Sequence, residues 1–290
     1  MRFCFFAAVF FCLLVGGPVR GQLVFSGTVG TAPIELVMED DAGDRDVQGL
    51  YMYTKYNAPI DLSGVLKGDL LKLTEKDAHG KPSATLIVPA FARANARNTG
   101  TWKSLATGRT LPLTLTQRMV VGNSSDGYAL LQAASLPASY FRVVLTAGAM
   151  PTVSKVQVLD KKTGRLVQEL TADCAFRGMH NVSVGDYNFD GLPDFAVFES
   201  SYAGPNTSSL YFLYNPASKR YVASGFSGVS LEFDAKKKRI YERNSCCAGS
   251  SVTMAEYKVV RNKMVLLAEH CYKWNEKQQK LVERKLSACQ

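Results

Sequence analysis

Four stretches in the second half of the chain follow one plan: VQVLDKKTGRLV (156–167), YFLYNPASKRYV (211–222), LEFDAKKKRIY (231–241) and CYKWNEKQQKLV (271–282). Each is an apolar-alternating strand, then an Asp or Asn, a few polar residues, and a basic residue that opens a second short strand. Alternation at period two sets one face of a strand against a core and the other outward. An Asp or Asn at the entry of a turn accepts backbone N–H bonds within it. The plan is a β-hairpin, written four times. Helical periodicity is almost absent after the N-terminal segment, so the fold class is all-β. Four such hairpins in one half of the chain imply a propeller-like or sandwich-like β domain, whose uneven spacing leaves the number of blades open.

The first half has a different texture. From Gln22 to Arg118 the segments GLYMYTKY, IDLSGVLKG, LLKLTEKDAHGK, ATLIV, GTWKS and TLPLTL read as an antiparallel β-meander domain. Turns are expected at Asn57 to Pro59, Gly64, Lys67 to Asp69, Ala78 to Gly80 and Ala106 to Gly108. Glu75 to Lys81 reads as a strand running into a polar hairpin turn. VVGNSSDG, within residues 119–127, has the composition of a linker, which leaves 128–290 as the second domain.

Residues 1–21 carry Arg2, an apolar run from Phe3 to Val15, and Val19 and Gly21 placed as a small-residue cleavage site. This is the pattern of a signal peptide cleaved near Gly21, which implies a periplasmic or secreted mature chain. The run is short for a membrane span, no later segment reaches the roughly 20 apolar residues a span requires, and Cys12 lacks the flanks of a lipid attachment site. The formal charge is +9, and loss of Arg2 and Arg20 leaves about +7. Such an excess favours an anionic surface or an acidic protein partner. The run Lys236 to Arg239 also reads as the solvated face of a hairpin. The basic residues are scattered and not interleaved with aromatics, so nucleic acid is not an expected partner.

Five cysteines follow the expected cleavage point: Cys174, Cys246, Cys247, Cys271 and Cys289. In an oxidising compartment most should be bridged, and the odd number leaves one over. Neighbours in a strand point to opposite faces, so Cys246 and Cys247 are expected to bond elsewhere than to each other, one of them to Cys271.

One stretch, VSVGDYNFDGLPDFAVFE, carries candidate metal ligands. Asp186, Asn188 and Asp190 stand at loop positions one, three and five, Gly191 at six where a sharp turn is needed, the Leu192 carbonyl at seven and Asp194 at nine. Hard oxygen donors at these offsets suit Ca²⁺ rather than zinc. Val197 occupies position twelve, where an EF-hand has its bidentate Glu, and strands flank the loop, so an EF-hand is excluded. Without a cation the three Asp carboxylates would repel one another; the alternative is a metal-free, Asx-rich hairpin turn.

The same residues carry a likeness. VGDYNFDGLPDFAVFE followed by LYFLYNPASKRYV resembles the signature of a bacterial secreted family whose best-known members are periplasmic immunity proteins. Those members inhibit lysozyme-like effectors delivered by a type IV secretion system. The upstream GLYMYTKY to GTWKS region is similar to the β-meander domain often found before that module, so the resemblance runs from about residue 48 to 285. It implies Asp186, Asn188, Asp190 and Asp194 as a calcium loop. It also implies insertion of a protruding loop into the cleft of a peptidoglycan hydrolase, for which ESSYAGPN (199–206) is the matching segment. Ser201 and Tyr202 would insert, with Gly204 and Pro205 shaping the turn; the plainer reading of Tyr202 is an ordinary turn aromatic. Many lysozymes are basic, and a chain near +7 is repelled from them at low salt. Either the target is acidic or the role differs.

No HExxH, GxSxG, phosphate-cradling Gly loop or zinc-spaced Cys/His set is present. His79, His180 and His270 read as turn or core residues. The acidic run Glu39, Asp40, Asp41, Asp44 and Asp46 reads as an exposed turn or a second weak cation site. The expectation is a protein that is not an enzyme: an inhibitor of a cell-wall hydrolase or a calcium-dependent envelope-binding or adhesion module.

Overall fold

The computed structural model describes residues 21–40, 46–93, 97–123 and 125–289. The expected signal segment lies outside them apart from Gly21, as do Asp41 and Asp44 of the acidic run. The described residues form an all-β protein of several antiparallel sheets, with short 3-10 turns at Gly178–His180, Cys247–Gly249 and Leu286–Ala288. No helix among them is long and apolar enough to cross a membrane.

Eight strands make the first unit: β1 (Gly21–Val29), β2 (Ala32–Asp40), β3 (Asp46–Tyr53), β4 (Ile60–Lys67), β5 (Leu70–Lys76), β6 (Pro82–Val88), β7 (Arg97–Ser104) and β8 (Thr110–Val120). They pair antiparallel in sequence order, and β1 then pairs with β8 to close a barrel. The expected meander is therefore present, with no free edge. β8 reaches Val120, which pairs with Leu23, so the barrel takes two residues of the segment read as linker.

Burial explains the texture of the first strands. Leu23, Phe25, Leu36, Met38 and Tyr51 fill the barrel interior, while the intervening Val24, Val37, Leu50 and Met52 point outward into a second core. β1 to β3 are buried on both faces and so read as near-continuous apolar runs. Each fully buried side chain of this size contributes roughly 1.5–3 kcal/mol of transfer free energy. At one end of the interior, Glu75 accepts from the Tyr51 hydroxyl, the Trp102 indole at 3.1 Å and the Ser83 hydroxyl at 2.7 Å.

Gly64 does not make the turn its residue type implied; it lies within β4, paired with Val47 and Leu73. A Cβ there would stand 2.0 Å from the Lys72 carbonyl oxygen. Close approach of backbones in the curved wall, not a turn, requires this glycine. The chain turns four residues later, at Gly68 and Asp69 between β4 and β5, where the Lys67 to Asp69 turn was expected.

Three sheets follow. The first has β9 (Tyr128–Ser135), β10 (Ser139–Leu145), β11 (Thr152–Asp160) and β12 (Leu166–Ala175). The second has β13 (Val182–Gly185), β14 (Asp194–Ser201), β15 (Thr207–Asn215) and β16 (Arg220–Ala223). The third has β17 (Glu232–Asp234), β18 (Arg239–Cys246), β19 (Ser251–Val260), β20 (Lys263–Asn275) and β21 (Lys280–Arg284).

The four repeated stretches are the hairpins β11–β12, β15–β16, β17–β18 and β20–β21. Their turns share one chemistry. Oδ1 of Asp160, Asn215, Asp234 and Asn275 accepts the N–H of Thr163, Ala217, Lys236 and Lys277 respectively, at 2.8–3.0 Å. The residue before each exit base is left-handed: Gly164 (φ 68°), Lys219 (53°), Lys238 (53°) and Gln279 (48°).

One continuous core joins the outer wall of the barrel, the β9–β12 sheet and the β13–β16 sheet, with Phe141 packed 4.9 Å from Phe195 between ring centroids. Another joins the β13–β16 sheet to the last sheet around Tyr211, Phe226 and Ile240. A half-buried ion pair crosses from barrel to second sheet system: Arg142 grips Glu35 with both terminal nitrogens, at 2.9 and 2.5 Å.

Candidate functional site

The loop between β13 and β14 is built by alternation within DYNFDG. Tyr187 and Phe189 turn into the core shared with the last sheet, where Tyr187 packs 4.8 Å from the Phe233 ring. Asp186, Asn188 and Asp190 take the other parity. The N–H of Asp190 is shared between Asp186 Oδ1 at 3.0 Å and Asn188 Oδ1 at 3.2 Å, so these two oxygens converge on one point. Asp186 Oδ2 accepts from Gly191 at 2.9 Å, and Asp190 Oδ1 from Leu192 at 2.8 Å. Phe189 (φ 64°) and Gly191 (φ 87°) are both left-handed, which winds the chain tightly around its own carboxylates.

Asp194 pairs with Gly185 at the base of this loop and is fully buried. Its Oδ1 accepts the Tyr214 N–H at 2.8 Å and its Oδ2 the Tyr187 N–H at 2.9 Å, which ties β15 and the loop to β14. Burial pushes its pKa up to about 6, opposed by those N–H bonds and reinforced by the charge of Asp190.

Two neighbours come from far along the chain. Asn188 Nδ2 donates to Asp190 Oδ2 at 2.8 Å and to Asn262 Oδ1, in the β19–β20 turn, at 3.1 Å. Lys238 Nζ donates to the Phe189 carbonyl at 3.2 Å, so this lysine of the basic run serves the loop and not only solvent. RNK at 261–263 is the hairpin tip, where Arg261 (φ 50°) and Asn262 (φ 59°) are consecutive left-handed residues, as in a type I′ turn. Nothing in its spacing shows that Asn262 reaches Asn188. Among the described residues, no three His, Cys, Asp or Glu side chains gather as a metal shell.

The segment 199–206 is the β14–β15 turn. Ser201 pairs with Thr207 at the end of β14, and Tyr202 to Pro205 are exposed, the Tyr202 side chain by 51%. The tip is held in place. Tyr202 N–H bonds the Asn206 carbonyl at 2.9 Å, and its hydroxyl lies 3.1 Å from Ser208 Oγ. Asn206, buried, donates to the Ser245 carbonyl at 2.7 Å and accepts the Ser245 N–H at 3.0 Å, which fastens this turn to the end of β18. Between the two lies a groove of about 820 Å³, with Tyr202, Gly204 and Pro205 on one side and Cys246, Cys247 and Lys273 on the other.

The cysteines correct the sequence reading. Cys271 bonds Cys289, not Cys246 or Cys247. Cys246 on β18 pairs with Ser251 of β19, which pairs with Lys273 of β20. A strand therefore lies between Cys246 and β20, and two strand spacings, roughly 9.5 Å, exceed the Cα separation a disulfide spans. Cys174 is buried and unbridged, with burial pushing its pKa up to about 12. Cys246 and Cys247 are exposed and face each other, their Sγ atoms 2.7 Å apart. His270 Nδ1 lies 2.6 Å from Glu283 on an exposed strand face, away from the loop and the groove.

No family model matches the chain, and no curated protein matches it. Among solved structures, it is similar to a Xanthomonas type IV secretion system related protein, at 13% identity over 77% of this chain and 98% of that one, with a TM-score of 0.28. A protein from Lactobacillus plantarum is similar at 12% identity over 92% of this chain and 96% of that one, with a TM-score of 0.29. Neither superposes closely enough to fix a family or an activity.

Proposed function

We propose that this chain is a secreted or periplasmic calcium-binding protein that acts by binding rather than catalysis, and that it inhibits a peptidoglycan hydrolase by presenting the β14–β15 turn to the hydrolase cleft. The observation that carries this reading is the anchoring of that turn. Ser201 and Tyr202 are exposed, yet Asn206 locks the segment to Ser245. A protruding loop that is already ordered loses little conformational entropy on insertion. Lys273 on the facing wall of the groove adds a positive charge suited to the carboxylates of such a cleft. The net positive charge then selects a hydrolase with an acidic surface.

Calcium fits the loop by donor chemistry: two carboxylates and one amide oxygen stand at alternate positions, all hard oxygen donors. Asp186, Asn188, Asp190 and the Leu192 carbonyl would hold the ion; Asp194, expected as a further ligand, instead accepts the Tyr214 and Tyr187 N–H groups with its two oxygens and would anchor the loop from beneath. The ion would offset the mutual repulsion of the carboxylates and stiffen the loop beside the Lys238 and Asn262 turns. The three C-terminal meanders are read with it as blade-like modules of a propeller-like domain.

A second reading, calcium-dependent envelope binding, has its own support. The β19–β20 hairpin exposes Val260, Val265, Leu266 and Leu267 beside Lys258, Arg261 and Lys263. Apolar side chains flanked by bases suit an anionic lipid or wall surface.

The deciding experiment is a pull-down of periplasmic and secreted proteins with the mature chain, with and without chelator, followed by hydrolase assays on what is captured. Capture of a peptidoglycan hydrolase whose activity falls supports inhibition. Sedimentation with vesicles or purified peptidoglycan, with no effect on any hydrolase, establishes the second reading in its place.

A further inference from the structure

The turn after β18 places two exposed cysteines side by side. Their Sγ atoms are 2.7 Å apart, inside the roughly 3.5 Å at which unbonded heavy atoms rest. Adjacent Cα atoms stand about 3.8 Å apart, below the usual span of a disulfide, so a ring between neighbours needs an unusual turn. This turn supplies it: Cys247 (φ 58°) and Ala248 (φ 56°) are consecutive left-handed residues, and neither is glycine. Such residues persist only where the surroundings hold them. Here the Asn206 clamp on Ser245 stands on one side of the pair, and the Ser250 carbonyl bonded to the Trp274 N–H at 2.8 Å on the other. No other cysteine among the described residues is open to them, since Cys271 and Cys289 are joined and Cys174 is buried in another core.

We propose that Cys246 and Cys247 close into a vicinal disulfide by thiol–disulfide exchange, and that this exposed ring is a redox-labile wall of the groove opposite Tyr202. The oxidant is a disulfide, either a small molecule or an exchange-active protein. One thiolate of the pair attacks an oxidant sulfur, breaking its S–S bond and releasing one thiol. The second thiolate then attacks the mixed disulfide, forming the Cys246–Cys247 bond and releasing the other. Two electrons and two protons pass to the oxidant, which leaves as two thiols. In the reduced pair the hydrogen bond to the Cys246 thiol pushes the Cys247 pKa up, and Lys273 opposes it. Exposure makes the ring the first bridge a reductant meets, because Cys271 of the other bridge is buried. Closing or opening the ring reshapes the rim shared with Tyr202, Gly204 and Asn206.

The test uses the full chain purified without reductant, denatured in excess alkylating agent and digested with trypsin. Cleavage after Arg243 and Lys258 isolates both residues in a peptide with no other cysteine. The expected peptide is two hydrogen masses lighter than the reduced form and carries no label. Brief treatment of the native chain with a dithiol should then give the doubly labelled peptide while Cys271 and Cys289 remain linked. A doubly labelled peptide from the untreated chain, or a link from either cysteine to another peptide, overturns the ring. For the groove, amide resonances of Tyr202, Gly204 and Asn206 should move on this selective reduction in the wild type and stay fixed in Cys246→Ser. Resonances unmoved in the wild type overturn the link to the groove.

Discussion

Asn188 Nδ2 donates to Asn262 Oδ1 at 3.1 Å, which joins the DYNFDG loop to the β19–β20 turn, 74 residues further along the chain. A cation held by that loop, as proposed, would therefore be coupled to the last sheet. Calcium should raise the melting temperature of the chelator-treated protein, by the equivalent of about 2.7 kcal/mol at a hundredfold excess over Kd. Asp186→Ala with Asp190→Ala should abolish the rise, and Asn262→Ala should reduce it. Absence of any calcium-linked shift in the wild type, measured by calorimetry, removes the metal from the reading.

Replacing Ser201 and Tyr202 by alanine should weaken inhibition of a captured hydrolase at least tenfold, which corresponds to about 1.4 kcal/mol, and leave the melting temperature nearly unchanged. Both side chains are exposed, and Asn206 holds the turn without them. An inhibition constant that does not move would place the contact surface elsewhere.

The Glu35–Arg142 pair joins the barrel to the β9–β12 sheet with both side chains less than one-fifth exposed. Removing one partner leaves a poorly solvated charge beside Tyr128 and the Ala129 carbonyl. Arg142→Ala should cost about 3 kcal/mol in urea unfolding, whereas Glu35→Leu combined with Arg142→Met should recover most of it. Equal costs for the single and double variants would show that the charge pairing is not what binds the two units.

The four equivalent turns predict a pattern of glycine effects. Lys219, Lys238 and Gln279 take a left-handed conformation that Gly164 adopts freely at the corresponding place. Lys219→Gly should be neutral or stabilising, while Gly164→Lys should cost about 1 kcal/mol, and Asn215→Ala a similar amount through its lost turn bonds. Thermal unfolding of the three variants checks the order.

Much of this was legible from local chemistry. The four hairpins, their Asp or Asn turn acceptors, the meander of the first half and the tight winding of DYNFDG depend on residues within a few positions of each other. Gly64 misled because a glycine needed for backbone approach in a curved sheet looks the same in sequence as one needed for a turn. Cys246 and Cys271 misled because residue type says nothing of how many strands lie between them.

The sequence alone determined the all-β class, the strand and turn grammar, and the apolar side of those strands that alternate, because period-two alternation and Asx turns are set by neighbouring residues. Tertiary structure decided what those strands close on. The pairing of β1 with β8, the reach of Asn262 to Asn188, the bridge from Cys271 to Cys289 and the groove between Tyr202 and Cys247 all join residues far apart in the chain. Such contacts are selected by the joint burial of whole sheet faces, a quantity that no single stretch of sequence contains.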